Sequence, residues 1–229
     1  MKFQVDCLMN ENTSALSGFP DGKRYNTFVG YYKRLYGERL QKLVIDAGFT
    51  CPNRDGTVGY GGCSFCDNAA FHPSYSTVGK SLSMQIDEGI EFHRVRYRNT
   101  KHYLAYFQSY SNTYAPLARL RQLYLEALAH PQIVGIVIGT RPDCIDEEKL
   151  DFLADLRDGR VIDGWHRDGF GAPLVKVEYG IESCYDKTLA RVGRGHDVAT
   201  AERAVRLNIG QGGDVPVCRL QNPDIPYAG

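Results

Sequence analysis

The sequence predicts an α/β fold built on a parallel sheet. Short apolar runs of strand length alternate with segments of helical period, and the unusual polar residues recur just after the runs. With 229 residues, 43% hydrophobic and 11% aromatic, the chain also has material for one sizeable core. Such alternation fits a barrel or an open doubly wound sheet, and in both the chemistry belongs at the C-terminal ends of the strands.

Taken in order, residues 1–22 hold Asn, Ser, Gly and Pro without a period and read as a loose N-terminal arm. Arg24–Leu43, rich in Tyr, Lys and Arg, reads as a helix leading into the first strand. The runs Lys42–Asp46, His102–Gln108, Ile133–Gly139 and Val175–Tyr179 have the length and the β-branched or aromatic content of buried strands. Between them lie helical candidates. Ser81–Tyr97 is the first, followed by Pro116–Ala129, which opens on Pro and repeats Leu117, Leu120, Leu123, Tyr124, Ala127 and Leu128 at helical spacing. Glu147–Asp158 has acidic residues in its first turn, and Thr200–Leu207 is the fourth. Cys51, Ser109–Asn112, Thr140–Asp143 and Gly180–Ser183 then fall on one rim.

Composition narrows the function classes. The 27 basic and 27 acidic residues cancel, which excludes a strongly basic nucleic-acid footprint for the whole chain. No apolar core of signal-peptide length opens the sequence, and no stretch approaches the ~18 apolar residues of a membrane span. A cytoplasmic protein without a membrane partner is the expectation. The seven cysteines, Cys7, Cys51, Cys63, Cys66, Cys144, Cys184 and Cys218, are odd in number and scattered, unlike a secreted disulfide framework. In a reducing compartment the close set Cys51, Cys63 and Cys66 reads as metal-binding or catalytic. Cys144, Cys184 and Cys218 read as small buried apolar residues.

A Cys-x-x-Cys pair turns two sulfurs toward one metal, and the Gly-rich stretch Gly56–Gly62 can bring a third. Taken alone the motif suits two centres equally. One is structural zinc, with His72 completing a Cys₃His set; the other is a cubane whose fourth iron stays open. Placement just after the first strand favours the catalytic centre, because structural zinc sites usually sit on small knuckles.

Cys51-Pro52-Asn53-Arg54-Asp55-Gly56-Thr57 followed by Gly61-Gly62-Cys63-Ser64-Phe65-Cys66 resembles the cluster loop of the YhcC-like radical S-adenosylmethionine (SAM) proteins. These are relatives of the Elongator catalytic subunit and of the oxygen-independent coproporphyrinogen oxidases. Further matches are Arg24-Tyr25-Asn26, the stretch Tyr106–Pro116, Gly139–Cys144 and Arg194-Gly195-His196, in order from about residue 24 to about 205. The resemblance implies a partial (β/α)6 TIM-like barrel. In it Cys51, Cys63 and Cys66 hold a [4Fe–4S] cluster, SAM chelates the open iron, and an external electron donor of flavodoxin or ferredoxin type reduces the cluster. Reductive cleavage of SAM then starts radical chemistry on a substrate the sequence does not name. The alternative is a non-catalytic zinc or iron–sulfur binding module.

For SAM, the related oxidases use a Gln after the fourth strand and an Arg twelve positions later, which fall here on Glu182 and Arg194. Arg194 suits a carboxylate, which a guanidinium grips with two parallel hydrogen bonds. Glu182 lacks the amide donor of the usual Gln. Elongator-type relatives carry Glu where this chain has Gly139, and the Gly-Gly-Glu type of motif is replaced by a region holding Gln108, Ser111 and Asn112. Gln108, Asn112, Glu178, Glu182 and Arg194 are therefore the SAM candidates. Glu178 and Asp143 have a structural alternative as ion-pair partners of Arg141 or Lys176.

The basic run His93–His102 interleaves cations with Tyr97, and reads as a solvated helix end or, alternatively, an RNA contact. The resemblance lapses after about residue 207, which divides the chain into the arm, a radical SAM core over 23–207, and a divergent or truncated C-terminal tail over 208–229.

Overall fold

The computed structural model describes residues 27–67 and 72–212 and the backbone of 217–220. The chain divides into two units, residues 1–39 and 40–229. The arm over 1–22 lies outside the described residues.

In the first unit α1 spans Phe28–Tyr36. The Thr27 hydroxyl caps it by accepting from the Gly30 N–H at 2.9 Å. Gly37, at φ 73°, ends it in the left-handed region and donates back to the Lys33 carbonyl. The predicted helix over Arg24–Leu43 is therefore corrected: it stops at this glycine, and β1 already begins at Leu40.

The second unit alternates β1 (Leu40–Ile45), α2 (Leu82–Arg94), β2 (His102–Phe107), α3 (Leu117–Ala129), β3 (Ile133–Thr140), α4 (Glu147–Arg157) and β4 (Leu174–Glu182). Then come α5 (Asp186–Arg191), α6 (Val198–Gly210) and β5 (Val217–Leu220). Side-chain caps start three helices: Ser81 accepts from Met84, Asp146 from Lys149 and Asp197 from Thr200. The short α5 and β5 have no counterpart in the sequence reading, since neither is long enough to show a period.

The strands are ordered β1-β2-β3-β4-β5 and every neighbouring pair is parallel. A doubly wound sheet reverses its strand order at a switch point, whereas a barrel adds each strand beside the last. The order here is that of a barrel wall, and among the described residues the sheet is not closed into a barrel.

Strand side chains alternate between the two faces. Leu43 and Ile45, Tyr103 and Phe107, Ile136 and Ile138, and Val177 and Tyr179 pack in one core with Ile86 of α2, Leu120 and Tyr124 of α3, Leu153 of α4 and Ala204 of α6. Burying an aliphatic or Phe side chain of this kind contributes about 1.5–3 kcal/mol. The alternate positions Lys42, Tyr106, Gly139 and Glu178 fall on the other face, brought side by side by the registers Val44 opposite Tyr106, Tyr106 opposite Val137 and Gly139 opposite Glu178.

The basic run is split by the end of α2: His93 and Arg94 close the helix, and β2 starts at His102. It thus lies at the N-terminal end of β2, a strand of six residues, or roughly 20 Å, away from the rim that carries Gln108. Arg94 forms a 2.8 Å ion pair with Glu91. No helix among the described residues is long and apolar enough to cross a membrane.

Candidate metal centre

The loop after β1 folds back on itself through its own backbone. The Cys51 carbonyl accepts from Arg54 N–H and Asp55 N–H, the Pro52 carbonyl accepts from Val58 and Gly59, and the Asn53 carbonyl accepts from Gly62 at 2.8 Å. An isolated antiparallel bridge joins Asp55 to Tyr60. This closed turn returns the chain beside its start, and a further turn, Cys66 N–H to Cys63 carbonyl at 2.9 Å, aligns the last two cysteines. Cys51, Cys63 and Cys66 consequently line one cleft, together with Gln108, Glu178, Glu182 and Arg194.

Each cysteine sulfur faces a guanidinium. Arg141 Nη1 lies 3.9 Å from Cys51 Sγ, Arg194 Nη1 3.5 Å from Cys63 Sγ and Arg54 Nη2 3.5 Å from Cys66 Sγ. Asn53 Nδ2 adds a second donor to Cys63 Sγ at 3.4 Å and also donates to the Gly193 carbonyl at 2.5 Å, tying the loop to the segment around Arg194. Hydrogen bonding to Cys66 comes first among the causes that hold the Arg54 guanidinium above its usual pKa. Burial works against the charge on Arg141, but a two-pronged contact with Asp143, at 2.8 and 2.7 Å, more than offsets it. Donors and positive charge directed at sulfur are the environment that thiolates require.

The SAM candidates divide. Gln108 follows the last residue of β2, Glu182 ends β4, Glu178 sits four residues earlier on the same strand, and Arg194 reaches in from the loop after α5; all four line the cleft. Asn112 does not. It is fully buried, and its side-chain Nδ2 donates to the Gly139 carbonyl at 2.7 Å while its backbone carbonyl accepts from the Tyr124 hydroxyl. It braces the cleft wall from behind. Asp143 likewise takes the structural alternative, as the partner of Arg141. Glu178 pairs with Lys42, and not with Lys176 or Arg141, and accepts from the Tyr106 hydroxyl at 2.8 Å. Sequence spacing conceals that pairing because Lys42 and Glu178 are separated by β2 and β3.

Arg194 is 7% exposed; its Nη2 donates to the Gly180 carbonyl at 2.5 Å, and its Nε is buried without a hydrogen-bond partner. Glu182, at φ 72°, and Tyr110, at φ 64°, are the two non-glycine residues with positive φ among the described residues, and both line this cleft. Such conformations cost about 1–3 kcal/mol each and cluster where a site needs them. Burial, followed by Arg194, lowers the pKa of His196 beside this segment.

His72, the fourth ligand of the zinc alternative, is engaged elsewhere. Its Nε2 lies 2.8 Å from Ser109 Oγ and 3.4 Å from Asp46 Oδ2. Among the described residues no three His, Cys, Asp or Glu side chains are gathered closely enough for one metal ion. Three thiols on one wall, each met by N–H donors, nevertheless fit a cluster, whose irons are held separately by different thiolates.

The remaining cysteines correct one expectation. Cys144 is buried, but Cys184 is exposed, because it stands in the short loop between β4 and α5. Cys7 and the Cys218 side chain lie outside the described residues. Burial, reinforced by Asp143, pushes the Cys144 thiol up to about 12, so it stays protonated at neutral pH. Iodoacetamide at pH 8 is expected to alkylate Cys184 and spare Cys144 in the folded protein; mass spectrometry of the digest reads both.

No family model matches the chain. Protein YhcC of Escherichia coli (strain K12) is 39% identical over 186 residues, covering 81% of this chain and 54% of that protein. YtqA of Bacillus subtilis is 35% identical over 181 residues, covering 76% and 50%. The chain thus spans about half the length of the curated relatives it matches. Among solved structures, the cobalamin-dependent S-adenosylmethionine radical enzyme OxsB superposes with a TM-score of 0.43 at 14% identity, over 79% of this chain and 23% of OxsB. Archaeal Elp3 from Methanocaldococcus infernus superposes with a TM-score of 0.53 at 15% identity, over 83% of this chain and 39% of Elp3. The chain shares its fold with that archaeal Elp3 structure. On that fold the cysteine loop follows the first strand of the sheet, and the cleft stands at the C-terminal ends of β1 to β4.

Proposed function

We propose that the chain is the cluster-bearing part of a radical SAM enzyme, in which Cys51, Cys63 and Cys66 hold a [4Fe–4S] cluster and SAM completes the coordination of the fourth iron. The observation that carries this reading is the shared cleft: three cysteines, each sulfur facing a guanidinium, beside Gln108, Glu178, Glu182 and Arg194. When bound and reduced, cluster and SAM supply a 5′-deoxyadenosyl radical that abstracts hydrogen from a substrate.

The chain's own residues bind and orient. Arg194 has a buried Nε to offer a carboxylate, and its seat against Gly180 and Cys63 holds it at the cluster side of the cleft. Gln108 and Glu182, at the C-terminal ends of β2 and β4 on the same rim, suit an amino group or ribose hydroxyls. Glu178 is held by Lys42 and Tyr106 on the sheet face that lines the cleft and presents a fixed carboxylate there. Asn112 acts on the site through the backbone of Gly139. An electron donor of flavodoxin or ferredoxin type is the partner this chemistry requires.

Anaerobic reconstitution with iron and sulfide, followed by calorimetry with SAM, tests the reading. Arg194→Ala is expected to weaken SAM binding to cluster-loaded protein by about ten- to a hundredfold, on the order of 1.5–3 kcal/mol for one charged hydrogen-bonded contact. Equal affinities would remove Arg194 from the site. Failure of loaded wild type to bind SAM would favour a non-catalytic iron–sulfur module.

A further inference from the structure

We infer that Arg54 and Arg141 set the reduction potential of the cluster, holding it higher than the three thiolates alone would allow. The inference rests on the [4Fe–4S] reading above and goes beyond it, since neither residue is a ligand. Arg54 Nη2 meets both the carbonyl and the sulfur of Cys66, at 3.3 and 3.5 Å, and its guanidinium lies 5.6 Å from the centre of the Tyr110 ring. Gly62 makes room for it: a Cβ there would stand 2.9 Å from Arg54 Nε. Arg141 is 2% exposed, faces Cys51 Sγ and is gripped by Asp143 on its other edge.

Reduction adds one negative charge to a centre already carrying three thiolates. A fixed cation beside a cysteine sulfur stabilises the reduced form more than the oxidised form, and a buried one is poorly screened. Hydrogen bonds to the sulfurs act in the same direction. Asp143 opposes Arg141 by sharing its charge, so the two residues push the potential in opposite senses.

The test is a redox titration followed by electron paramagnetic resonance on the anaerobically reconstituted full chain without SAM. Arg54→Gln is expected to keep the iron content and visible absorption of wild type while its midpoint falls by at least tenfold in the reduction equilibrium, about 59 mV for one electron. Arg54→Lys, which keeps the charge, should recover most of that shift. Asp143→Asn should move the midpoint upward. A purely structural role has no reason to give opposite signs at these two positions. Unchanged midpoints in loaded Arg54→Gln overturn the inference, as does loss of iron from that variant while wild type loads normally. Absence of iron from wild type is a different result, because it strikes the cluster reading and removes this inference with it.

Discussion

Replacing any one of Cys51, Cys63 and Cys66 by Ala is expected to abolish cluster loading, against about four irons and four sulfides per chain in reconstituted wild type. The magnitude follows from the ligand count. A cubane held by three thiolates and an exchangeable fourth ligand finds no further cysteine or histidine in the described cleft lining; Cys144 is kept as a protonated thiol by burial and Asp143, and His72 is committed to Ser109 and Asp46. Cys→Ala is small in volume, so the fold should survive and the loss of iron can be assigned to the missing sulfur. Cys184→Ala, Cys7→Ala and Cys218→Ala serve as controls that keep the full complement. Iron and sulfide analysis with the visible charge-transfer absorption reads the outcome. Stoichiometric zinc without iron–sulfur absorption in wild type would falsify the cluster assignment and return the loop to a structural role.

Gly195→Ala is expected to destabilise the protein by roughly 2–5 kcal/mol and to lower cluster occupancy with it. Gly195 has φ +78°, which a side chain adopts at a cost of about 1–2 kcal/mol. Space is the second difficulty. A Cβ there would stand 2.6 Å from Val58 Cγ1 and 2.9 Å from Asn53 Oδ1. Asn53 does not yield easily, since it is 4% exposed and bound to Cys63 Sγ and the Gly193 carbonyl, whereas Val58 is 47% exposed and can turn its side chain aside. At roughly 2–4 °C per kcal/mol for a chain of this size, the thermal midpoint should fall by about 4–20 °C. Gly169→Ala, at φ +82° with nothing within 4 Å of the added carbon, is the matched control and should lose only the backbone cost of about 1–2 kcal/mol. Equal midpoints for the two variants would show that the segment at Arg194 is not clamped to the cysteine loop.

The sequence by itself determined what depends on neighbours along the chain. Four strands and four helices of the second unit follow from local period and end signals: Ser81 and Asp146 cap the helices they precede, and the runs at residues 102 and 133 become β2 and β3. The cysteine loop was legible for the same reason, because ligand spacing and Gly-rich turns are local. Tertiary structure alone decided which residues meet across the sheet. Strand order separated the barrel wall from the doubly wound alternative, cross-strand register joined Lys42 and Tyr106 to Glu178, and the return of the 193–195 segment placed Arg194 and Asn53 on Cys63. Asn112 and Gln108 are four residues apart in one motif, yet the turn after β2 buries the first behind Gly139 and leaves the second on the cleft. Such contacts depend on long-range registers that a single residue's shift would reverse, because successive strand side chains point to opposite faces.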